Sequence, residues 1–466
     1  MRLSISLFFP PVLLTFLPAF LWPILSLHIT GAILYYEHMG HSVKIDSLSF
    51  GGCGVGRVSG KVVFVPYSAP GDEIRTKIIK EEKGFMEGSI VELISPSPIR
   101  KEPPCPYHSI CGGCHWLHIP YSEQVKAKEE IFKDTLKRIG KVDPSIVEPI
   151  QPSPMELNYR SRVQLKVWEN KIGFYKRESH ELVDISECPL AHPLINRILK
   201  GLREIWPPIP YPIARVDINV SPSDEKGIVS IYLKDRSTFD FARFFKMLNQ
   251  AIPEVTGLII HYNRDEKVCG SPYLFSKEGG FRFRASEGSF SQVNYHQNLN
   301  MKDYILSLVD LRGSEGVLEL YSGGGNFTIP LARQAGNIVG IEVSEASISD
   351  AIENTRLNDI KNAVFIKATA EKGMEKVLSS GLGVGGGKTI DLVLVDPPRD
   401  GCSKKVIEGI VSLKPGKVIY VSCNPSTLAR DLSRFRELGY KTWSSRPFDM
   451  FPQTYHIESV TELGLF

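Results

Sequence analysis

The chain has 466 residues, enough at about 150 residues per domain for roughly three domains and a sizeable buried core. It is 42% hydrophobic and 23% charged, which excludes disordered, collagenous and repeat classes. With 55 basic and 52 acidic residues the net charge is +3, so any surface for a polyanion has to be a local patch; eight unevenly spaced cysteines are too few for a disulfide scaffold and point to metal binding and catalysis in a reducing compartment.

Residues 1–38 form an apolar leader with no charge from Leu7 to Tyr36, interrupted by Pro10, Pro11, Pro18 and Pro23. Proline in a helix interior costs about 3 kcal/mol, which argues against one spanning helix, and no small-residue cleavage pattern marks a signal peptide. We read the leader as translated upstream sequence with the true start at Met39, a membrane anchor or hairpin being the alternative, and expect a cytoplasmic protein. Residues 39–97 then alternate apolar and polar positions in short runs broken by Gly51-Gly52 and Ala69-Pro70-Gly71. This pattern predicts a small antiparallel barrel. The run GGCGVGRVSGKVVFVPYSAPGDEI resembles the TRAM domain, a small RNA-binding barrel of OB type.

Residues 98–280 open with Cys105, Cys111 and Cys114, and Cys188 follows before Pro189. Four thiolates suit either a zinc ion or an iron-sulfur cluster. Structural zinc usually pairs two short CxxC knuckles, whereas three close cysteines with a distant fourth before proline is nearer to a [4Fe-4S] arrangement. From Asn158 to Arg177, NYRSRVQLKVWENKIGFYKR combines basic and aromatic residues with period-two alternation and a turn at Asn170-Lys171. It reads as a hairpin, either a solvated sheet edge or a phosphate-tracking surface with aromatic platforms for unpaired bases. Arg160 and Arg162 are expected on one face, as phosphate contacts.

Residues 281–466 carry the pattern of a doubly wound sheet. The strand VLELY runs into Ser322-Gly323-Gly324-Gly325-Asn326, and the next strand ends in Glu342. A glycine turn after one strand with an acid ending the next cradles a nucleotide, the carboxylate accepting ribose hydroxyls. Thr328 stands where a dinucleotide fingerprint prefers glycine, which tilts the ligand toward S-adenosylmethionine. A further strand delivers Asp396-Pro397-Pro398-Arg399, and the one after it ends at Ser422-Cys423-Asn424-Pro425. Amine methyltransferases place an aromatic after Asp-Pro-Pro; arginine stands there here.

Together GSFSQVN, LELYSGGGNFTIPLA, IEVSEASI, DLVLVDPPRDG, VIYVSCNPSTLARDL and HIESV resemble the RNA uracil-5-methyltransferase family. With the TRAM-like segment and the four cysteines, the match spans about residues 41–460. The resemblance implies a Rossmann-like S-adenosylmethionine-dependent methyltransferase domain behind the barrel and a central iron-sulfur α+β region. It implies cofactor contacts from Gln292, Tyr321, Asn326, Glu342 and Asp396, with Cys423 as nucleophile and Glu458 as base. Possession of both barrel and cluster points to 23S ribosomal RNA as substrate, with transfer RNA as the alternative and a non-catalytic ribosome-assembly factor as the rival of another class. Tyr321-Ser322 stands where Phe-Cys is frequent, and Gly381–Lys388 looks like an inserted loop.

Overall fold

The computed structural model describes residues 40–205, 213–235, 240–263, 265–379 and 389–465. The leader with Met39 and the loop Gly381–Lys388 lie outside the described residues. Two compact units form, one of the described residues up to Ser47 with Cys53–Pro98, the other of Leu48–Gly52 with the chain from Ile99.

In the first unit β1 (His41–Leu48), β2 (Cys53–Val58), β3 (Lys61–Pro66), β4 (Glu73–Glu81) and β5 (Phe85–Ser95) close a barrel in the order β1-β2-β3-β5-β4. Alternation puts Val43, Ile45, Val63, Val65, Ile74 and Met86 inside, which defines each strand's inner face. Gly71 takes φ +91, a left-handed turn that favours glycine, and the buried Asp72 carboxylate accepts the N–H groups of Ala69 (2.6 Å) and Ser97 (2.9 Å). The barrel is not wholly antiparallel as expected, because β3 and β5 pair in parallel. The turn carries the chain across the barrel, so β4 pairs with β1 and the returning β5 fills the gap beside β3.

The second unit holds α1 (Tyr121–Thr135) and two seven-stranded sheets. The first sheet contains β6 (Arg162–Trp168), β7 (Lys171–Tyr175), β8 (Leu182–Asp184), β9 (Ile213–Ser221), β10 (Lys226–Leu233), β11 (Val255–Tyr262) and β12 (Asp265–Gly270), in the order β12-β11-β10-β9-β6-β7-β8. Helices α2 (Pro193–Ile205) and α3 (Phe241–Ala251) share its core through Leu194, Ile198, Leu202, Phe244 and Leu248. A hairpin of β13 (Tyr273–Glu278) and β14 (Phe281–Ser286) follows, so a boundary at 280 passes through its turn.

After α4 (Tyr295–Leu308) comes the second sheet, built from β15 (Gly316–Leu320), β16 (Asn337–Glu342), β17 (Ala363–Lys367), β18 (Leu392–Val395), β19 (Lys417–Ser422), β20 (Tyr440–Phe448) and β21 (Glu458–Leu465). Helices α5 (Thr328–Ala332), α6 (Glu345–Leu357), α7 (Ala370–Ser379), α8 (Lys404–Leu413) and α9 (Pro425–Glu437) connect or flank these strands. The order is β17-β16-β15-β18-β19-β21-β20, with β15 to β19 parallel and β21 antiparallel between β19 and β20. β15 and β18 are buried along their whole length, as continuous apolar strands covered on both faces must be. Chain direction along the sheet reverses between β15 and β18, which opens a crevice beyond their carboxyl ends. Among the described residues no helix is long and apolar enough to cross a membrane.

Candidate active site and cysteine cavity

The glycine turn leaves β15 at that switch point. Tyr321, Gly323 and Gly325 adopt φ +63, +54 and +86, so the backbone turns sharply under the crevice. Gly323 N–H donates to one Glu342 carboxylate oxygen (3.0 Å), while the N–H groups of Val343 (2.8 Å) and Ser344 (2.7 Å) hold the other. These bonds tie the acid at the end of β16 to the turn beside it. Asp396 N–H donates to the Leu320 carbonyl (3.3 Å), which brings the Asp-Pro-Pro segment to the same place.

A cavity of about 120 Å³ at this point is lined by Gln292, Tyr321, Asn326 and Asp396 among others. Glu342 is not among the residues lining it; its carboxylate is tied to the turn through Gly323 N–H. Ser322 Oγ is buried there and makes no hydrogen bond with the described residues. An unsatisfied buried hydroxyl on a residue lining this cavity fits a polar small-molecule ligand such as S-adenosylmethionine.

Sequence reasoning missed the polar support of this cavity. Asn326 and Asn298 exchange amide hydrogen bonds (3.1 and 3.0 Å), Asn298 also donates to Glu278 (3.1 Å), and Lys302 pairs with Glu278 at 2.5 Å. Asn294, Asn298 and Lys302 fall on one stripe of α4, at i, i+4 and i+8, and all are buried. Buried polar residues at helical spacing were the available signal. Glu319, a lone acid in an apolar strand, was another. It is 1% exposed, accepts a hydrogen bond from the Thr328 hydroxyl, and burial pushes its pKa up to about 8.

Cys423 follows β19, and Glu458 begins β21. The antiparallel register pairs Val421 with Val460 and Ser422 with Ser459, so the next step sets Cys423 across from Glu458. Glu458 is the first residue of its strand and is 4% exposed. Burial and the neighbouring Asp396 carboxylate raise its pKa well above the usual carboxylate range, and Arg399 opposes them. Asp396 itself is pushed up to about 7 by burial. Burial also pushes the Cys423 thiol up to about 12, with Glu458 and Asp396 adding to the rise and Arg399 pulling it down. Arg399 is exposed, and its carbonyl accepts from Asn424 (3.3 Å) and Thr427 (3.1 Å), which ties the Asp-Pro-Pro-Arg turn to the start of α9. A thiol, two carboxyls whose proton affinity burial raises, and one cation therefore share the carboxyl end of the sheet.

Cys105, Cys111, Cys114 and Cys188 line a second cavity, of about 530 Å³. Its walls are stitched together locally. Cys111 N–H donates to the Tyr107 carbonyl (2.8 Å), Ser186 N–H to the Tyr107 hydroxyl (3.0 Å), and Asn196 both accepts from Cys188 N–H (2.9 Å) and donates to its carbonyl (3.0 Å). A Cβ on Gly112 would lie 2.9 Å from Arg177 N, so only glycine lets this loop pass β7's extension so closely. Burial pushes the Cys111 thiol up to about 11 and Cys114 higher still, with the other cysteines adding to the rise.

The only His/Cys/Asp/Glu group with three ligand atoms mutually within 4.8 Å, among the described residues, is His261, Glu266 and Glu287. No three of the four cysteine Sγ atoms are that close. The four thiols converge on one cavity, a donor set that suits either a zinc ion or an iron-sulfur cluster.

The basic hairpin forms from β6 and β7, but Arg160 lies outside the strand pair. Its Nε donates to the Arg162 carbonyl (3.3 Å), and both arginines line the cysteine cavity; Arg162 also borders the crevice. They do not share an open strand face, because the chain kinks before β6 to pair Arg160 with Ala191 and Asn294.

Comparison with known proteins agrees with this architecture. The family model for tRNA (uracil-5-)-methyltransferases matches residues 273–464, and the model for the TRAM domain of tRNA (uracil(54)-C(5))-methyltransferases matches residues 42–99. An uncharacterized RNA methyltransferase of Aquifex aeolicus is 35% identical over 428 residues, covering 90% of this chain and 97% of that protein. Another, of Halalkalibacterium halodurans, is 33% identical over 91% of this chain and 96% of its own. The crystal structure of Pyrococcus abyssi tRNA (uracil-54, C5)-methyltransferase in complex with S-adenosyl-L-homocysteine superposes with a TM-score of 0.72 at 27% identity, covering 91% of this chain and 99% of that one. With a closed TRAM barrel, a methyltransferase sheet and full-length relatives of this kind, the chain belongs to the RNA uracil-5-methyltransferase family and is an S-adenosylmethionine-dependent enzyme acting on RNA.

Proposed function

We propose that the enzyme methylates C5 of a specific uridine through a covalent adduct between Cys423 and C6 of the ring. The observation that carries this reading is the β19–β21 register, which sets the Cys423 thiol across from a buried carboxyl group. Neutral uracil is too weak a nucleophile at C5. Cys423, once its proton has passed to solvent, adds to C6 as thiolate: the S–C6 bond forms, and the C5–C6 π pair moves toward the C4 carbonyl to give an enolate with an electron-rich C5. Arg399 favours the thiolate against burial and the two carboxyls. When bound, S-adenosylmethionine supplies the methyl group to C5 and is left as S-adenosylhomocysteine.

Glu458, as carboxylate, then takes the C5 proton. The C–H pair reforms the C5–C6 double bond while the S–C6 bond breaks and Cys423 leaves as thiolate. Burial raises the proton affinity of Glu458, which makes it a stronger base than an exposed carboxylate. Gln292, Tyr321, Asn326, Glu342 and Asp396 would hold the cofactor. The target uridine must leave its stack, at a cost of a few kcal/mol, which contacts to the rest of the RNA offset.

For the cysteine cavity we propose a [4Fe-4S] cluster rather than zinc. Three close cysteines with a distant fourth before Pro189 support this, as does the lining by Arg160 and Arg162, whose charge offsets that of four thiolates. As to the substrate, joint possession of barrel and cluster favours 23S ribosomal RNA. The likeness to a TRAM-bearing Pyrococcus abyssi enzyme whose description names uracil-54 of tRNA favours transfer RNA, so the barrel alone does not discriminate. Mapping 5-methyluridine in both RNAs from a strain lacking the gene decides: loss of a 23S site with transfer RNA unchanged is the expected result, and the reverse refutes it.

A further inference from the structure

Glu458 is reached by a strap, Asp449–Ile457, that leaves β20 and enters β21. Four consecutive carbonyls of this strap are gripped from outside the second sheet. Met450 accepts from Asn294 Nδ2 (3.1 Å), Phe451 from Lys128 Nζ (3.0 Å), Pro452 from the Tyr159 hydroxyl (3.1 Å), and Gln453 from the N–H groups of His115 (2.9 Å) and Trp116 (3.1 Å). Gln453 N–H donates in turn to Gln124 Oε1 (3.0 Å), and Gln124 Nε2 donates to Gln453 Oε1 (2.7 Å). Lys128 also pairs with Asp449 at 2.6 Å, both side chains being fully buried.

Gln453 has φ +69, a left-handed conformation that is strained for a non-glycine residue and persists where the surroundings over-determine it. The grip supplies that determination: Gln124, Lys128, Tyr159, Asn294 and Gln453 are all at most 2% exposed. None of these groups is among the residues that line the cavity beneath the glycine turn, so contact with a ligand there does not explain them. An ordinary β20–β21 connection has no need of so many buried polar donors, and a buried donor left unmatched is expensive. What the strap does need is a fixed end, because the position of its last residue sets where the carboxylate meets the reacting ring.

We propose that Gln124, Lys128 and Tyr159 are positioning residues for Glu458, holding the strap so that the carboxylate is aligned for the C5 proton. The proposal rests on Glu458 as the base. It also ties the cysteine loop to the chemical step, since His115, directly after Cys114, is one of the clamps.

The test follows the covalent intermediate, with total RNA from a strain lacking the gene as substrate. Tyr159→Phe removes one hydroxyl and Gln124→Met the paired amides, both nearly at constant volume; Glu458→Gln is the reference. Both clamp variants should accumulate methylated RNA–protein adduct on denaturing gels and lose about tenfold in kcat. Single-turnover methyl transfer, KM for RNA and S-adenosylmethionine affinity should stay within about twofold of wild type. Adduct at the wild-type level in the clamp variants, with adduct abundant in Glu458→Gln, overturns the positioning role. A parallel fall of methyl transfer, cofactor affinity and melting temperature also overturns it, because that is general loss of structure. If Glu458→Gln itself accumulates no adduct, the base assignment fails and the inference falls with it. Adding Gln124→Met to Glu458→Gln should produce no further accumulation.

Discussion

The two cysteine-bearing sites of the second unit solve opposite problems with the same side chain. At the crevice a single thiol, Cys423, faces Glu458 and Asp396, with Arg399 as the charge that opposes them. In the second cavity four thiols face one another, with Arg160 and Arg162 in the wall. Burial raises the thiols in both places, so neither site makes a free thiolate by itself. The difference lies in what can remove the proton. At Cys423 the proton passes to solvent and a local cation favours the thiolate, which suits a nucleophile that forms and breaks a bond in each cycle. In the cavity the proposed metal centre would displace the protons, since a metal deprotonates its own ligands.

The contrast breaks most simply at Cys423. Cys423→Ala should lower turnover by roughly a thousandfold or more while binding S-adenosylmethionine normally by calorimetry; turnover near wild type would remove the nucleophile from the crevice. Next in size, Cys111→Ser should lose the metal and several kcal/mol of stability in urea titration, with adduct chemistry still detectable in the folded fraction. Iron analysis of anaerobically purified wild type sharpens the point: iron with sulfide is expected, and stoichiometric zinc would refute the cluster.

The smallest effect concerns Arg399. Because its charge lowers the thiol pKa, Arg399→Gln should raise that pKa and slow iodoacetamide alkylation of Cys423 several-fold at fixed pH, by roughly tenfold at most. The alkaline rise of the alkylation rate should shift to higher pH by the same amount. An unchanged profile would mean that solvent screens the exposed guanidinium from the thiol.

Much of the fold was legible because its signals are local. The glycine turn, the acid ending β16 and the Asp-Pro-Pro and Ser-Cys-Asn-Pro segments each sit at the carboxyl end of an apolar run, so strand period and turn chemistry located them together. The barrel's alternation was legible for the same reason, but its parallel β3–β5 pair was not, since pairing partners are set by chain return and not by period. Arg160 and Arg162 were assigned to one strand face by two-residue spacing, which failed where the chain kinks before β6. Asn298, Lys302 and Glu319 went unnoticed because an isolated polar residue in an apolar segment gains meaning only when its buried partners are known.

By itself, then, the sequence determined which strands and turns exist and which family they match, because short-range period, glycine geometry and motif spacing are properties of neighbouring residues. Tertiary structure alone decided what faces what. The antiparallel return of β21 beside β19 brings Glu458 opposite Cys423, and buried groups from α1 and the cysteine loop grip the strap that precedes it. Those pairings join residues up to 329 positions apart, and they form because a buried donor or carboxyl must find a partner wherever packing brings one within reach.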